Sequence, residues 1–307
     1  MPKAFKILLL LCFPLWMQAQ DLNLDSLMAS ETKDTLKDQK PATDYTIATF
    51  KSTTISNGHS VETLHKGVMD FVINHRFGTL NGGPYEWFGL DNATVRIAFD
   101  YGITNDLTVG IGHASFDKQY DTYAKYKVLK QSSGVHIMPV TLDVLGSLMV
   151  RTTRDPASQT YKTPFKDRVF TSLQVLVARK FSNDFSLQFM PTLVHYNVVA
   201  NSGLHNDIIA LGIGGRHKIT KMMAVNAEYY YNLPGTKLPG TNNSLCLGID
   251  IETAGHVFQL IFTNGTGIAP RPFITETVGE FFKGDIHFGF NVHRAFQMKK
   301  KKKMQTS

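Results

Sequence analysis

His113 and Ser115 flank a single alanine, so in an extended segment the imidazole and the hydroxyl share one face. A serine beside a histidine general base can carry out acyl transfer, provided a third group orients the ring. Counting from Leu107, Val109 and Ile111, both side chains project from the apolar side of their segment. With 116–121 as the hairpin, His113 pairs near Ala124 and Ser115 near Thr122, while Asn92 has the wrong parity to complete a triad. The pair therefore reads as polar side chains at a rim, with a phospholipase as the enzymatic alternative.

His59, Glu62 and His65 recur every three residues, so one helical face would present all three to a zinc ion. The surrounding Asn57-Gly58-His59-Ser60 is turn-like instead, and the expectation is a polar segment with no metal. Gly212, Gly214 and Gly215 imitate a phosphate loop, but in a strand the inward glycines make space. Cys246 reads as structural. No cofactor motif is present.

The larger chemical signal is a row of charges of both signs: Asp70, Arg76, Arg96, Asp100, Lys125, Lys127, Asp143, Arg216, Glu228, Asp250 and Glu252. The elements that must position them alternate with a two-residue period. Strands are expected near 68–77, 93–101, 107–115, 122–130, 135–149, 168–180, 185–197, 206–217, 223–232, 244–253, 256–263 and 284–296. In "TVRIAFDY", for example, Val95, Ile97, Phe99 and Tyr101 oppose Arg96 and Asp100.

A soluble sandwich alternates too, so the connections decide. They run long and short by turns: "GTLNGGPYEWFGLDN", "GITND", "SFDKQYD", "QSSG" and so on to 264–283. Tight turns on one side and larger loops on the other are the rhythm of a transmembrane barrel. Backbone within hydrocarbon must be fully paired, so the sheet closes. The expected fold is all-β, a twelve-stranded antiparallel up-and-down transmembrane β-barrel with its termini periplasmic. The uncharged face meets lipid, because Arg or Lys there costs about 2–4 kcal/mol at the midplane. The charged face lines the lumen. Tyr101, Phe181, Phe185 and Phe296 gather at one membrane edge, with Phe77 and Tyr231 towards the other.

The start, "MPKAFKILLLLCFPLWMQA", has the charged, apolar and small-residue order of a signal peptide over 1–19. Residues 20–45 are polar and read as a disordered periplasmic leader; 46–66 read as a mouth or plug segment, 67–297 as the barrel and 298–307 as a basic tail. The formal charge of +7 loses its meaning on inspection: two lysines sit in the signal peptide and five are Lys299 to Lys303, leaving a neutral body. Nucleic acid is thereby excluded as a partner. One cysteine in the mature chain excludes a disulfide framework, and no apolar run approaches the length of a helical span.

"NGHSVETL" (57–64), "HRFG" (75–78), "FGLDNAT" (88–94), "DYGIT" (100–104) and "TETVGEFFKGDIHFGFN" (275–291) resemble a family of outer-membrane β-barrels from Bacteroidota known as a domain of unknown function. The likeness covers roughly residues 45–296 and implies a Gram-negative outer-membrane location. It brings no substrate and no catalytic residue. The expected function is a passive channel for small polar solutes, or a structural barrel, and not an enzyme. The alternatives are the rim phospholipase and an anchor for a periplasmic partner. Outer-membrane lipid and the barrel-insertion machinery, which would read the terminal strand closing on Phe296, are the other expected partners.

Overall fold

The computed structural model describes residues 42–157, 160–253 and 255–298. The signal peptide, most of the leader and the lysine run lie outside these residues. Twelve antiparallel strands close into one barrel: β2 (Val68–Thr79), β3 (Ala93–Gly102), β4 (Leu107–Ala114), β5 (Gln119–Leu129), β7 (Thr141–Arg151), β8 (Val169–Lys180), β9 (Phe185–Tyr196), β10 (Asp207–Lys218), β11 (Met223–Asn232), β12 (Ser244–Glu252), β13 (His256–Thr263) and β14 (His287–Gln297). β14 closes on β2 with Phe290 opposite His75, Val292 opposite Ile73 and Phe296 opposite Met69, and one irregularity between His287 and Gly289.

The parity expected from the sequence holds around the ring. In β3, Ala98 and Asp100 are buried while Ile97 and Phe99 stay 47% and 45% exposed, as an apolar face bathed by hydrocarbon must be. Closure leaves no unpaired edge, so every strand backbone is satisfied within the ring.

Two connections depart from the expected rhythm. β5 begins at Gln119, so the third connection shrinks to 115–118, a tight 3-10 turn, instead of a longer loop. The polar Gln119 and Asp121 look like loop residues but are inward-facing strand residues. The fourth connection, expected to be the tight "QSSG", instead runs from 130 to 140, and β7 starts at Thr141, not at 135. Within it β6 (Ser132–Gly134) pairs with β1 (Thr43–Tyr45), Tyr45 opposite Ser132. Residues 43–45 are therefore a strand and not part of a disordered leader.

From β1 the chain turns into the barrel. Thr53 to Ser60 form a hairpin, with Ile55 N–H donating to Gly58 C=O (2.8 Å) and Ser60 N–H to Thr53 C=O (3.0 Å). An Asn57-Gly58 pair at the tip suits so tight a reversal. The hairpin inserts from the end where β2 starts and β14 stops. From the opposite end, residues 264–277 also turn inward, and Arg271 to Thr275 are all buried. The two inserts meet in one apolar cluster: Phe50, Ile55 and Val61 from the hairpin, Phe273 and Ile274 from the loop, and Leu176, Met190 and Tyr230 from the wall.

Candidate functional site: the filled lumen

Inward polar residues from many of the wall strands engage the hairpin. Thr53 Oγ1 donates to Asp100 (3.0 Å), Ser56 Oγ to Asn226 (2.6 Å), and the Gly58 N–H to Glu228 (2.9 and 3.0 Å). Arg76 donates to Asn57 (2.8 Å) and Asn291 (3.0 Å). Lys125 Nζ donates to the carbonyls of Ser60 (2.7 Å) and Thr53 (3.3 Å). Gln188 takes the Val61 N–H (2.9 Å) and gives its own amide hydrogen to the His59 carbonyl (2.7 Å). Buried backbone groups of a segment that belongs to neither helix nor sheet must find such partners, and the wall supplies them.

Several of the remaining expected lumen residues pair with one another or with the hairpin's flank. Arg216 meets Asp250 (3.3 Å) and Glu252 (2.6 Å), and Lys51 reaches the other oxygen of Glu252 (2.8 Å). Asp143 is fully buried across the sheet from half-buried Lys127. Asp70 accepts from His293 Nδ1 (2.9 Å). All eleven charged residues expected on the lumen face are buried or half-buried. Most of these ions have internal partners, while both oxygens of Asp143 and one of Asp70 are buried without a hydrogen-bond partner.

Sequence reasoning missed four of the strongest contributors. Asp121 clasps Arg96 through both oxygens, Nε at 2.9 Å and a terminal nitrogen at 2.5 Å. Its signal was available, since the alternation that runs through Tyr123, Lys125 and Lys127 extends back to Gln119 and Asp121. Asn226 and Gln188 are neutral, and a search of the lumen face for charge passes over them. Arg271 lies in the long loop, where no period exists to place it. It donates to Asp117 (2.6 Å), Gln119 (3.0 Å) and Glu276 (2.7 and 2.9 Å), with its guanidinium 4.3 Å from the Phe170 ring centroid. Burial opposes that charge, but Glu276 and Asp117 outweigh it and push the Arg271 pKa up.

The candidate catalytic and metal groups fare differently. Ser115 Oγ accepts the Val95 N–H (2.9 Å), and His113 lies opposite Tyr120 with ring centroids 4.4 Å apart, not opposite Ala124. The shorter turn shifts the register by four residues from the one expected, and no carboxylate or amide stands beside His113 among its described partners. His59, Glu62 and His65 lie on extended chain and not on a helix. His59 packs on Tyr123 (4.3 Å between centroids), Glu62 accepts the Phe50 N–H, and His65 is exposed. No cluster of three metal-ligating side chains occurs among the described residues.

A relay-like chain does exist: Asp70, His293 Nδ1 (2.9 Å), then His293 Nε2 to Thr54 Oγ1 (3.1 Å). Thr54 also donates to Gln259 (3.3 Å) and borders a void of about 20 Å³, room for one water, while Asp70 and His293 line a cavity of about 390 Å³ beside the hairpin. This chain tethers the hairpin. Gly214 is a packing device of the same kind: a Cβ there would come within 2.7 Å of Ile55 Cδ1, so the inward glycine makes room for the hairpin tip. Cys246 is buried and unpaired, as a structural residue.

The family model for the membrane bound beta barrel domain DUF5777 matches residues 50–296, a span that includes the hairpin as well as the ring. The chain belongs to that family. The DUF5777 barrel resembles several solved structures. The NanC porin is 8% identical with a TM-score of 0.45, the match covering 74% of this chain and 98% of that one. The KdgM porin is 9% identical with a TM-score of 0.44, covering 75% and 99%. The COG4313 outer membrane channel from Pseudomonas putida F1 is 12% identical with a TM-score of 0.45, covering 77% and 98%. No curated protein matches the chain.

Proposed function

We propose that this DUF5777 barrel sits in the Gram-negative outer membrane, with both ends of the ring periplasmic, and passes small polar solutes when the hairpin of residues 49–64 leaves the lumen. The observation carrying this reading is the character of the hairpin's attachment. It is held mainly by hydrogen bonds that it donates to Asp100, Asn226, Glu228 and Gln188 and accepts from Lys125, which water can replace one for one. Withdrawn, the hairpin would leave a lining of both charge signs, suited to small polar solutes over one sign of ion. The sequence ahead of Thr43 is the natural handle for a periplasmic partner that draws the hairpin out.

A second reading, a sealed structural barrel, is favoured by the apolar cluster where Phe50, Ile55 and Val61 meet Phe273 and Ile274. Planar-bilayer conductance separates the two. The whole chain should conduct little, deletion of 49–64 together with replacement of the inward 269–276 by a short glycine-serine link should give steady open-pore conductance, and crosslinking Ser56→Cys to Asn226→Cys should abolish residual openings. A folded deletion variant that passes no current establishes the sealed barrel instead.

A further inference from the structure

The outward wall is not uniformly bulky. Across β9 to β12 a groove of about 640 Å³ opens on the membrane side, within the range of about 300–1,000 Å³ typical of small-molecule sites. Its floor is a registered pair of small residues, Gly215 opposite Ala227. Leu187 and Leu247 flank that pair in the same row, being the partners of Gly215 and Ala227 on the adjoining strands. Ile213 lies along its length and is 52% exposed.

The end of this groove nearest the short turns carries basic side chains. His217 lines it, exposed, opposite Phe185 and Val225. Arg179 is opposite Leu187, which is opposite Gly215, so the arginine stands two strands from the floor, about 10 Å away. Its guanidinium lies 5.2 Å from the Phe181 ring centroid, a stem along apolar surface with its charge at the rim. No salt bridge engages Arg179 or His217 among the described residues. The adjoining turns contribute exposed Lys221 and Asp184.

We infer that this groove seats one anionic phospholipid, its acyl chain over Gly215 and Ala227 and its phosphate held by Arg179 and His217. Acyl chain is the chemistry that fills an apolar groove on a hydrocarbon-facing wall, and the Arg179 guanidinium with the His217 ring N–H at one end suits a phosphate there. A second outward dent, floored by Ala124 opposite Gly146, lacks that rim: its His195 is already bound to Asp207 at 2.7 Å. It serves as an internal control. The inference rests on the barrel standing in a membrane and is independent of whether the lumen conducts.

Native mass spectrometry of the delipidated full chain in non-ionic detergent, titrated with phosphatidylglycerol or phosphatidylcholine, tests it. Wild type should retain one phosphatidylglycerol per barrel in preference to phosphatidylcholine. Ala227→Leu should weaken retention at least tenfold, and Arg179→Gln with His217→Gln should bring the two lipids to parity while still binding the chain. Ala124→Leu should change nothing. Heat-modified electrophoretic migration confirms that each variant is folded. Should Ala227→Leu fail to fold, Gly215→Ala reads the same floor, since its Cβ would meet the flexible end of Leu187 at 2.8 Å. Equal retention by wild type and the filled variants overturns the inference. So does parity of the two lipids in wild type, or a wild-type dimer that Ala227→Leu disperses, which would give the groove to a second copy.

Discussion

The Gly58 N–H lies 2.9 and 3.0 Å from the two carboxylate oxygens of Glu228, joining the tip of the luminal hairpin to the wall across 170 residues of sequence. A bond to a charged acceptor contributes about 1.5–3 kcal/mol. Glu228→Ala should therefore speed amide exchange over residues 49–64 by roughly ten- to a hundredfold while leaving the strand amides slow. Glu228→Gln, which keeps an acceptor, should restore part of the protection. Hydrogen exchange read by mass spectrometry makes the comparison; equal protection in all three proteins would show that this contact does not hold the hairpin.

Arg96 and Asp121 form a buried bidentate pair inside the ring. Removing one partner leaves a lone buried charge, so Arg96→Ala or Asp121→Ala should cost about 3–5 kcal/mol. Replacing both, as Arg96→Met with Asp121→Leu, should recover most of that loss. Urea midpoints in detergent give the values.

His59 bears on pH. Burial, then the neighbouring Lys125 and Arg96 cations, hold its imidazole well below the usual 6.5. The unfolded chain then binds a proton that the folded chain refuses, so stability falls as pH drops below about 6.5 and is unaffected by this group above it. Tyr123 packs on the ring at 4.3 Å between centroids. Chemical denaturation at pH 8 and pH 5 should show the loss, and His59→Gln should reduce it.

Arg271 ties the inward loop to Asp117 and Gln119 on the wall and braces the loop internally through Glu276. Arg271→Ala should make residues 264–286 cleavable by protease within the folded barrel. Arg271→Lys should rescue little, since an ammonium cannot reproduce the planar fork. The cleavage pattern after limited proteolysis decides.

Ile97 is 47% exposed on the outer face. Ile97→Lys should cost about 2–4 kcal/mol if that position lies near the bilayer midplane. The folded fraction in vesicles, followed by heat-modified migration, measures it, and a neutral result would place Ile97 outside the hydrocarbon.

Much of the ring was legible because its cause is local. Hydrocarbon on one side imposes apolar residues at every second position, and that period survives in "TVRIAFDY" without knowledge of any partner. Strand ends were less legible. Gln119 and Asp121 are polar because they face the lumen, and polarity next to a turn looks like more turn. The apolar alternation of "VHIMPV" (135–140) misled in the other direction, since that stretch lies in the connection where Met138 pairs with Ser132 beside β1 and β6.

From the sequence alone came the solvent of each face, the count of twelve and the closure, all consequences of a two-residue period and of backbone that must be paired in lipid. Whether the lumen is filled was a tertiary decision. Ser, Thr, Asn and Gly in residues 52–60 have the composition of any exposed turn, and what makes them a plug is a set of partners such as Asn226, Glu228 and Asn291, each 170 or more residues away. Hydrogen-bond partnership across such distances leaves no periodic trace, because either member of each pair would be equally polar facing water.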